Sequence, residues 1–224
     1  MNNPPSAQPF IAVQACLQQT LPMARIEPVP LPELPQVTLG LINADFPTGP
    51  LPADVMRDVI AEPAYWAFCW GSGLATAQWL LAQPELVHGK QIADLGCGSG
   101  IVAIAAALAG AEAVWAIDID PAALAATAAN AEVNQVELQL LNSLDALPVD
   151  VDILYMADVL YDRSNFALIE QARQHTAKLV IADSRVTDLH NSAFALLHTR
   201  EALTYPNLGE FDEFRTVRFF ASPA

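Results

Sequence analysis

The chain has 224 residues, of which 53% are hydrophobic, and it carries a formal net charge of −15 at pH 7. This length suffices for one sizeable α/β core. The negative charge argues against a nucleic-acid partner, which would need a basic surface, and favours an acidic enzyme or a protein with a basic partner. The three cysteines are widely spaced and show no metal-ligand spacing, so we expect no metal. The sequence shows no recognisable leader and no long apolar run, so we expect a cytoplasmic protein with no membrane partner.

Residues 1–52 contain 11 of the 17 prolines and form a Pro-rich N-terminal extension, with the main domain predicted at 53–224. Prolines alternate with apolar residues around 28–35, which predicts extended chain rather than helix. One interpretation is a connector or a strap laid over the core, and the other is an arm that recognises substrate. We favour the first, because Pro-rich extended stretches are common connectors.

The next segment is predicted to contain a short helix from Asp54, a turn near Pro63, an aromatic stretch, a Gly-Ser-Gly turn at 71–73 and a helix at 74–83. Trp66, Phe68 and Trp79 are expected to lie in the core. Trp70 stands directly before the glycine turn, where its flat ring could cover a cationic ligand.

Residues 94–100 read Asp-Leu-Gly-Cys-Gly-Ser-Gly and join a predicted buried strand at 91–95 to a predicted helix at 101–109. Glycines let the backbone approach a ligand closely, and the N–H groups of a helix start point towards it. A dinucleotide-binding turn would need a third glycine where this chain has Ile101. A dehydrogenase is therefore disfavoured.

A second predicted strand, at 113–118, ends in Asp118, about twenty residues after the glycine turn. In a doubly wound sheet this strand lies beside the first, and an acid at its end can accept hydrogen bonds from both hydroxyls of a ribose. Asp120 and Pro121 then predict the start of a helix that runs to about Asn134, with Asp120 as its N-cap.

The rest of the chain continues the alternation of strands and helices that is typical of an α/β protein. We predict strands at 136–141, 152–157, 178–183, 201–205 and 214–220, helices at 167–177 and 189–198, and an acidic loop at 209–213.

The G-x-G-x-G spacing led by Asp94 resembles motif I of the class I, seven-β-strand methyltransferases that use S-adenosylmethionine (AdoMet). The resemblance implies a Rossmann-like, doubly wound sheet of seven mostly parallel strands in a three-layer αβα arrangement. It implies AdoMet as the cofactor and S-adenosylhomocysteine as its product. The cofactor-binding residues that it implies are Asp94, Gly96, Gly98, Gly100, Asp118, Ile119, Asn142, Ser143 and Ala157.

A narrower resemblance begins at Tyr65-Trp66, continues through Trp70-Gly71-Ser72-Gly73 and includes His88-Gly89-Lys90. These motifs are similar to those of the family 16-type protein methyltransferases, most of all the lysine methyltransferases of the electron-transfer flavoprotein β-subunit. The resemblance implies that Trp70 lies against AdoMet. Asn130 matches a helix asparagine of that family, and we interpret it as a packing residue.

Residues 157–162 match the Gly-Asp-x-x-Tyr-Asp motif of the same family, which implies that Asp158 and Tyr161 form the reaction centre. An N-cap for the following helix is the alternative role of Asp158, although Asp162 and Ser164 are better placed for it. The loop lacks the Pro-Pro pair of methyltransferases that act on nucleic acids or glutamine. The later Asp183-Ser184-Arg185 also departs from the family's Asp-Pro-Gly-Arg.

The function expected is that of a protein-lysine N-methyltransferase, a monomer or weak oligomer whose substrate presents a lysine on a basic surface. One alternative is a small-molecule N-methyltransferase that acts on an amine or a nicotinamide-like nitrogen. Another is a non-catalytic AdoMet-binding partner protein. A closed, aromatic-lined acceptor pocket would favour the small-molecule enzyme, whereas an open acidic surface would favour a protein substrate.

Overall fold

A computed structural model describes residues 8–209 and 212–222. Its helices are α1 (Ile11–Thr20), α2 (Ala53–Ala61), α3 (Gly71–Ala82), α4 (Ile101–Leu108), α5 (Pro121–Val133) and α6 (Ala167–Ala172). Its strands are β1 (Ile26–Leu31), β2 (Leu34–Ile42), β3 (Gln91–Leu95), β4 (Ala113–Ile117), β5 (Gln139–Leu141), β6 (Val151–Ala157), β7 (Thr176–Asp183), β8 (Ala195–Glu201) and β9 (Thr216–Ala221). In these residues no helix has the length and apolar character needed to cross a membrane.

Seven strands form one sheet in the order β5-β4-β3-β6-β7-β9-β8. The first five pair in parallel, and β9 runs antiparallel to both β7 and β8. Strand order reverses at β3, which has β4 on one side and β6 on the other. Ligands of doubly wound sheets bind beyond the carboxyl ends of the strands at such a point. The predicted seven-stranded, mostly parallel sheet is confirmed.

Successive residues of the central strands point to opposite faces, so the sheet has two cores. Ile92 of β3 packs on the face covered by α3 and α4. Its neighbours Ala93 and Leu95 pack on the other face, where α6 contributes Ile169 and Ala172. The three-layer αβα arrangement follows from this alternation.

The N-terminal extension forms α1 and an antiparallel hairpin of β1 and β2, with Ile26 opposite Ile42. Extended chain at 28–35 is therefore confirmed. Phe10, Val13 and Leu17 pack in one cluster with alanines of α5. The described part of the extension thus lies against the core, as a strap would. The division into an extension and a main domain at residue 53 stays a prediction.

Two predicted elements near the C-terminus are wrong. Residues 189–198 are not a helix, and the strand expected at 201–205 lies earlier, because Ala195–Glu201 is the edge strand β8. Its Ala-Leu-Leu start favours a helix locally, but pairing with β9 overrides that propensity. The acidic loop at 209–213 lies partly outside the described residues.

The bounds of three other elements differ from the prediction. Helix α6 ends at Ala172 rather than at 177, since β7 begins at Thr176 to pair with β6. Strand β5 is limited to Gln139–Leu141. Helix α3 starts at Gly71, so the predicted Gly-Ser-Gly turn is the first turn of that helix.

Replacement of Phe10 by Ala tests whether the N-terminal segment belongs to the cooperative core. The Phe10 side chain is 2% exposed, and its ring fills the space in which a Cβ on Gly40 would lie. We expect Phe10→Ala to lower the free energy of unfolding by about 2–4 kcal/mol. The neighbouring Ile11, 69% exposed, is the matched control. Ile11→Ala should change the free energy of unfolding by less than about 0.5 kcal/mol. Equal effects in denaturant titrations would contradict the packing.

Candidate functional site

The glycine turn between β3 and α4 is held by very close packing on two sides. Gly96, Gly98 and Gly100 have φ of 75°, 52° and 79°, a region that favours glycine. A Cβ on Gly96 would lie 2.7 Å from Cγ2 of Val159, and one on Gly100 would lie 2.7 Å from Cγ2 of Thr127. A Cβ on Gly98 would have no atom closer than 4.0 Å. The turn is therefore tightly packed at its two ends and less crowded at its centre, where the Cα of Trp66 is the nearest atom.

Asp94 ends up inside the protein, where it is 1% exposed. Its Oδ2 accepts a hydrogen bond of 3.1 Å from the backbone N–H of Ala103, in the first turn of α4. The pKa of this carboxyl is raised to about 7, chiefly by burial and in smaller part by the charge of Asp118, against the opposing hydrogen bond from Ala103. Among the described residues no ion pair involves Asp94. A cationic group would therefore be a favourable partner for it.

Asp118 follows β4 directly and turns back towards the glycine turn. Its Oδ2 accepts the N–H of Gly98 at 3.0 Å, and its Oδ1 accepts the N–H of Asp120 at 3.0 Å. Each carboxylate oxygen keeps a second lone pair, so two hydroxyl groups could still bond to it. Burial raises the pKa of Asp118. Asp120 in turn accepts the N–H of Ala122 at 2.8 Å, which confirms its N-cap role.

Asp158 follows β6 in a left-handed conformation, with φ of 55°. Its Oδ2 accepts the N–H of Ser72 at 2.7 Å and its Oδ1 accepts the Ser72 hydroxyl at 2.6 Å. Asp158 therefore caps α3, which is far away in the sequence. The alternative of a cap on the following helix is wrong, because Asp162 occupies that position and accepts the N–H of Ser164.

Burial, hydrogen bonds and nearby charges together determine the pKa of Asp158. Burial raises its pKa to about 6, and the nearby charge of Asp183 acts in the same direction. The two hydrogen bonds from Ser72 and the positive charge of Arg185 oppose that rise. At pH 8 the carboxylate is therefore ionised, and each oxygen has one lone pair left for a further donor.

Three aromatic rings, the aromatic rim, lie around this edge of the sheet: Tyr65, Trp70 and Tyr161. The ring of Tyr65 is 5.8 Å from that of Trp70 and 5.2 Å from that of Tyr161, measured between centroids. The Trp70 indole N–H donates to the carbonyl of Tyr65 at 2.7 Å. Tyr65 and Tyr161 are 45% and 54% exposed, so the rim opens to solvent.

The remaining predicted contacts lie at the same carboxyl edge. Ile119 follows Asp118 and is 87% exposed, and Ala157 is the last residue of β6 and half-buried. Asn142 is exposed beyond the end of β5, and Ser143 next to it is half-buried. Their roles towards a ligand stay predictions. Trp66 and Trp79 are buried, as expected for core residues.

Residue-by-residue interpretation of the sequence missed three polar side chains that build the site. Ser72 was assigned to a turn, but it binds Asp158. Thr127 donates its hydroxyl to the carbonyl of Gly98 at 3.1 Å, and Asn130, interpreted as packing, donates to the carbonyl of Ser99 at 2.8 Å. The sequence signal for Thr127 and Asn130 is their spacing, because they are polar residues on one face of an alanine-rich helix.

A known protein family matches the part of the chain that contains this site. Residues 66–178 match the model of the ribosomal protein L11 methyltransferase (PrmA) family. The chain belongs to this family. The matched region runs from the aromatic segment through the glycine turn and Asp158 to the start of β7. The expected resemblance to class I methyltransferases is thereby confirmed.

Two curated relatives and one solved structure describe the range of similarity. The electron transfer flavoprotein beta subunit lysine methyltransferase of Danio rerio is 42% identical over 103 residues, 45% of this chain and 40% of that protein. The ribosomal protein L11 methyltransferase of Bordetella parapertussis is 39% identical over 146 residues, 62% and 46% of the two chains. Each match therefore covers less than half of the relative's length.

The magnesium protoporphyrin IX methyltransferase of Synechocystis PCC 6803, whose structure contains bound SAH, shares the fold. It superposes with a TM-score of 0.52 at 16% sequence identity, over 79% of this chain and 90% of that chain. This likeness supports the fold assignment.

Replacement of Asp94 by Asn tests the energetic cost of its burial. A carboxyl whose pKa is raised to about 7 by folding destabilises the folded state increasingly as pH rises from about 4 to 7. Asp94→Asn should therefore raise the melting temperature by several degrees at pH 8, and the gain should vanish near pH 4. The exposed Asp150→Asn is the control and should leave the melting temperature at pH 8 nearly unchanged. Equal melting temperatures at pH 8 would refute this account of Asp94.

Proposed function

We propose that this protein is an AdoMet-dependent N-methyltransferase that methylates a lysine side chain of a protein. The observation that carries the proposal is the cluster of Asp94, Asp118 and Asp158 at the carboxyl ends of three neighbouring strands. Burial raises the pKa of each. Such a site favours positively charged ligands, and both AdoMet and a lysine side chain are cationic.

The residues of the glycine turn fit AdoMet. The turn is least crowded at Gly98, and the cofactor would lie beside it there. Asp94 would bind the amino group of its methionine part, Asp118 the ribose hydroxyls, and Asn142 the edge of the adenine. When bound, AdoMet supplies a methyl group on a positively charged sulfur. S-adenosylhomocysteine is then the product.

Asp158 and Tyr161 are proposed to act on the acceptor. A lysine amine must lose its proton before it can attack, and its ordinary pKa is near 10.4. Asp158, ionised at pH 8, would accept a hydrogen bond from that amine and orient its lone pair, while Ser72 holds the carboxylate in place. The exposed ring of Tyr161 would form one wall of the lysine path.

A protein acceptor is favoured over a small molecule because the aromatic rim is open. A small-molecule enzyme would be expected to enclose its acceptor, yet Tyr65 and Tyr161 are about half exposed. The net charge of −15 suits a substrate with a basic surface. Both curated relatives described above are named for methylation of a protein.

Transfer of label from methyl-tritiated AdoMet tests this function. We expect incorporation into acid-precipitable, protease-sensitive material when the purified protein is added to an extract of its source cells. Acid hydrolysis of the labelled band should release methylated lysine. Label only in the soluble fraction would favour a small-molecule acceptor. No label, despite AdoMet binding, would leave only the non-catalytic binding protein.

Substitutions at Asp118 and Asp158 should separate cofactor binding from catalysis. Asp118→Asn should weaken AdoMet binding by about tenfold or more with a smaller effect on kcat. Asp158→Asn should lower kcat by about 10² while AdoMet affinity barely changes. Isothermal titration and steady-state kinetics measure the two effects.

Ser72→Ala is the matched control for Asp158→Asn. It removes the hydroxyl hydrogen bond to Asp158 but keeps the carboxylate, so kcat should fall by less than about fivefold. If Ser72→Ala lowered kcat as much as Asp158→Asn, the loss would come from the contact between the two side chains and not from the carboxylate acting on the acceptor.

A further inference from the structure

Asn130 lies at the contact between three separate parts of the protein. It is on the inner face of α5 and its side chain is fully buried. Its Oδ1 accepts the backbone N–H of Gly40, on β2, at 2.7 Å. Its Nδ2 donates to the carbonyl of Ser99, in the glycine turn, at 2.8 Å. One amide group therefore joins the N-terminal hairpin to the glycine turn.

The bond to Ser99 fixes the orientation of a peptide group within the turn. Thr127, one helical turn earlier, holds the preceding carbonyl, that of Gly98, at 3.1 Å. In a planar trans peptide the C=O and the following N–H point in opposite directions. Because the Gly98 carbonyl points towards α5, the N–H of Ser99 points away from it. The two side chains together determine which backbone groups the turn can offer to a ligand.

The N-terminal hairpin is also closely packed where it contacts Asn130. Gly40 lies under the ring of Phe10, whose atoms occupy the position that a Cβ on Gly40 would take. Phe10 belongs to the same apolar cluster as Ala123, Ala126 and Ala129 of α5. The packing thus holds β2 at hydrogen-bond distance from Asn130.

We propose that Asn130 is a positioning residue: its side chain, held by Gly40 of the N-terminal hairpin, orients the Ser99 peptide of the cofactor turn and so sets the affinity for AdoMet. This inference rests on the proposed function. It assigns the N-terminal extension a part in cofactor binding through a residue that does not itself touch the ligand.

Asn134 is a natural control, one helical turn further along α5. Its Oδ1 accepts the N–H of Thr38 at 3.0 Å, and its Nδ2 donates to the carbonyl of Thr38 at 2.6 Å. It therefore binds the same hairpin. Within residues 8–209 and 212–222 it makes no hydrogen bond to the glycine turn.

The test compares Asn130→Ala and Asn134→Ala with the unmodified full-length chain. AdoMet affinity is measured by isothermal titration, and melting temperature without ligand is measured in parallel. Both variants should have a lower melting temperature than the unmodified chain. Only Asn130→Ala should weaken AdoMet binding, by about tenfold, because it leaves the Ser99 carbonyl unpaired. Asn134→Ala should change the dissociation constant by less than about twofold.

The kinetic signature of a positioning role is a raised KM for AdoMet with kcat at saturation nearly unchanged. Equal losses of affinity in the two variants would overturn the inference and leave the proposed function intact. Failure of the unmodified chain to bind AdoMet would overturn both.

Hydrogen exchange of the unmodified chain provides a second test if Asn130→Ala does not fold. Coupling is reciprocal, so AdoMet should slow exchange of the Gly40 amide, which lies on β2 and not in the turn. Exchange of the Val29 amide on β1 is the reference and should change less. Unchanged exchange at Gly40 with AdoMet bound would overturn the inference.

Discussion

The close approach of the glycine turn to its neighbours is the constraint on which the rest of the site depends. Any side chain at Gly96 or Gly100 would collide with Val159 or Thr127 at 2.7 Å. The turn can therefore come within hydrogen-bond distance of α5 on one side and of Asp118 on the other. The small alanines of α5 let the N-terminal segment pack closely against the same helix.

Burial of carboxylates is the second theme of this structure. Asp94 lies inside the protein and Asp158 is half-buried, and loss of solvent contact raises the pKa of both. Stability alone would favour neutral residues at these positions. Retention of costly charges at the carboxyl edge of a switch-point sheet is typical of a binding site. Asp158 partly compensates its burial by capping α3, which ties the loop after β6 to the aromatic segment.

The sequence allowed prediction of those parts that depend on local patterns. Strand β3, the glycine turn, Asp118 and the Asp120 cap are all encoded within short segments. Helix α3 starts earlier than predicted because its cap, Asp158, comes from a strand end 86 residues away. Strand β8 was mistaken for a helix because its pairing partner β9 follows later in the chain. The role of Asn130 required knowledge of β2, which is 90 residues away. Long-range contacts such as these leave no periodic signal.

The environment of Asp94 has a consequence for the heat and the proton balance of ligand binding. With a pKa of about 7, the carboxyl is partly protonated in the free protein at neutral pH. A cationic group that pairs with it favours the ionised form, so the bound proton must leave as the ligand arrives. Binding is then a proton-exchange reaction near neutrality. The buffer takes up the released proton, and the measured enthalpy contains the buffer's own heat of protonation.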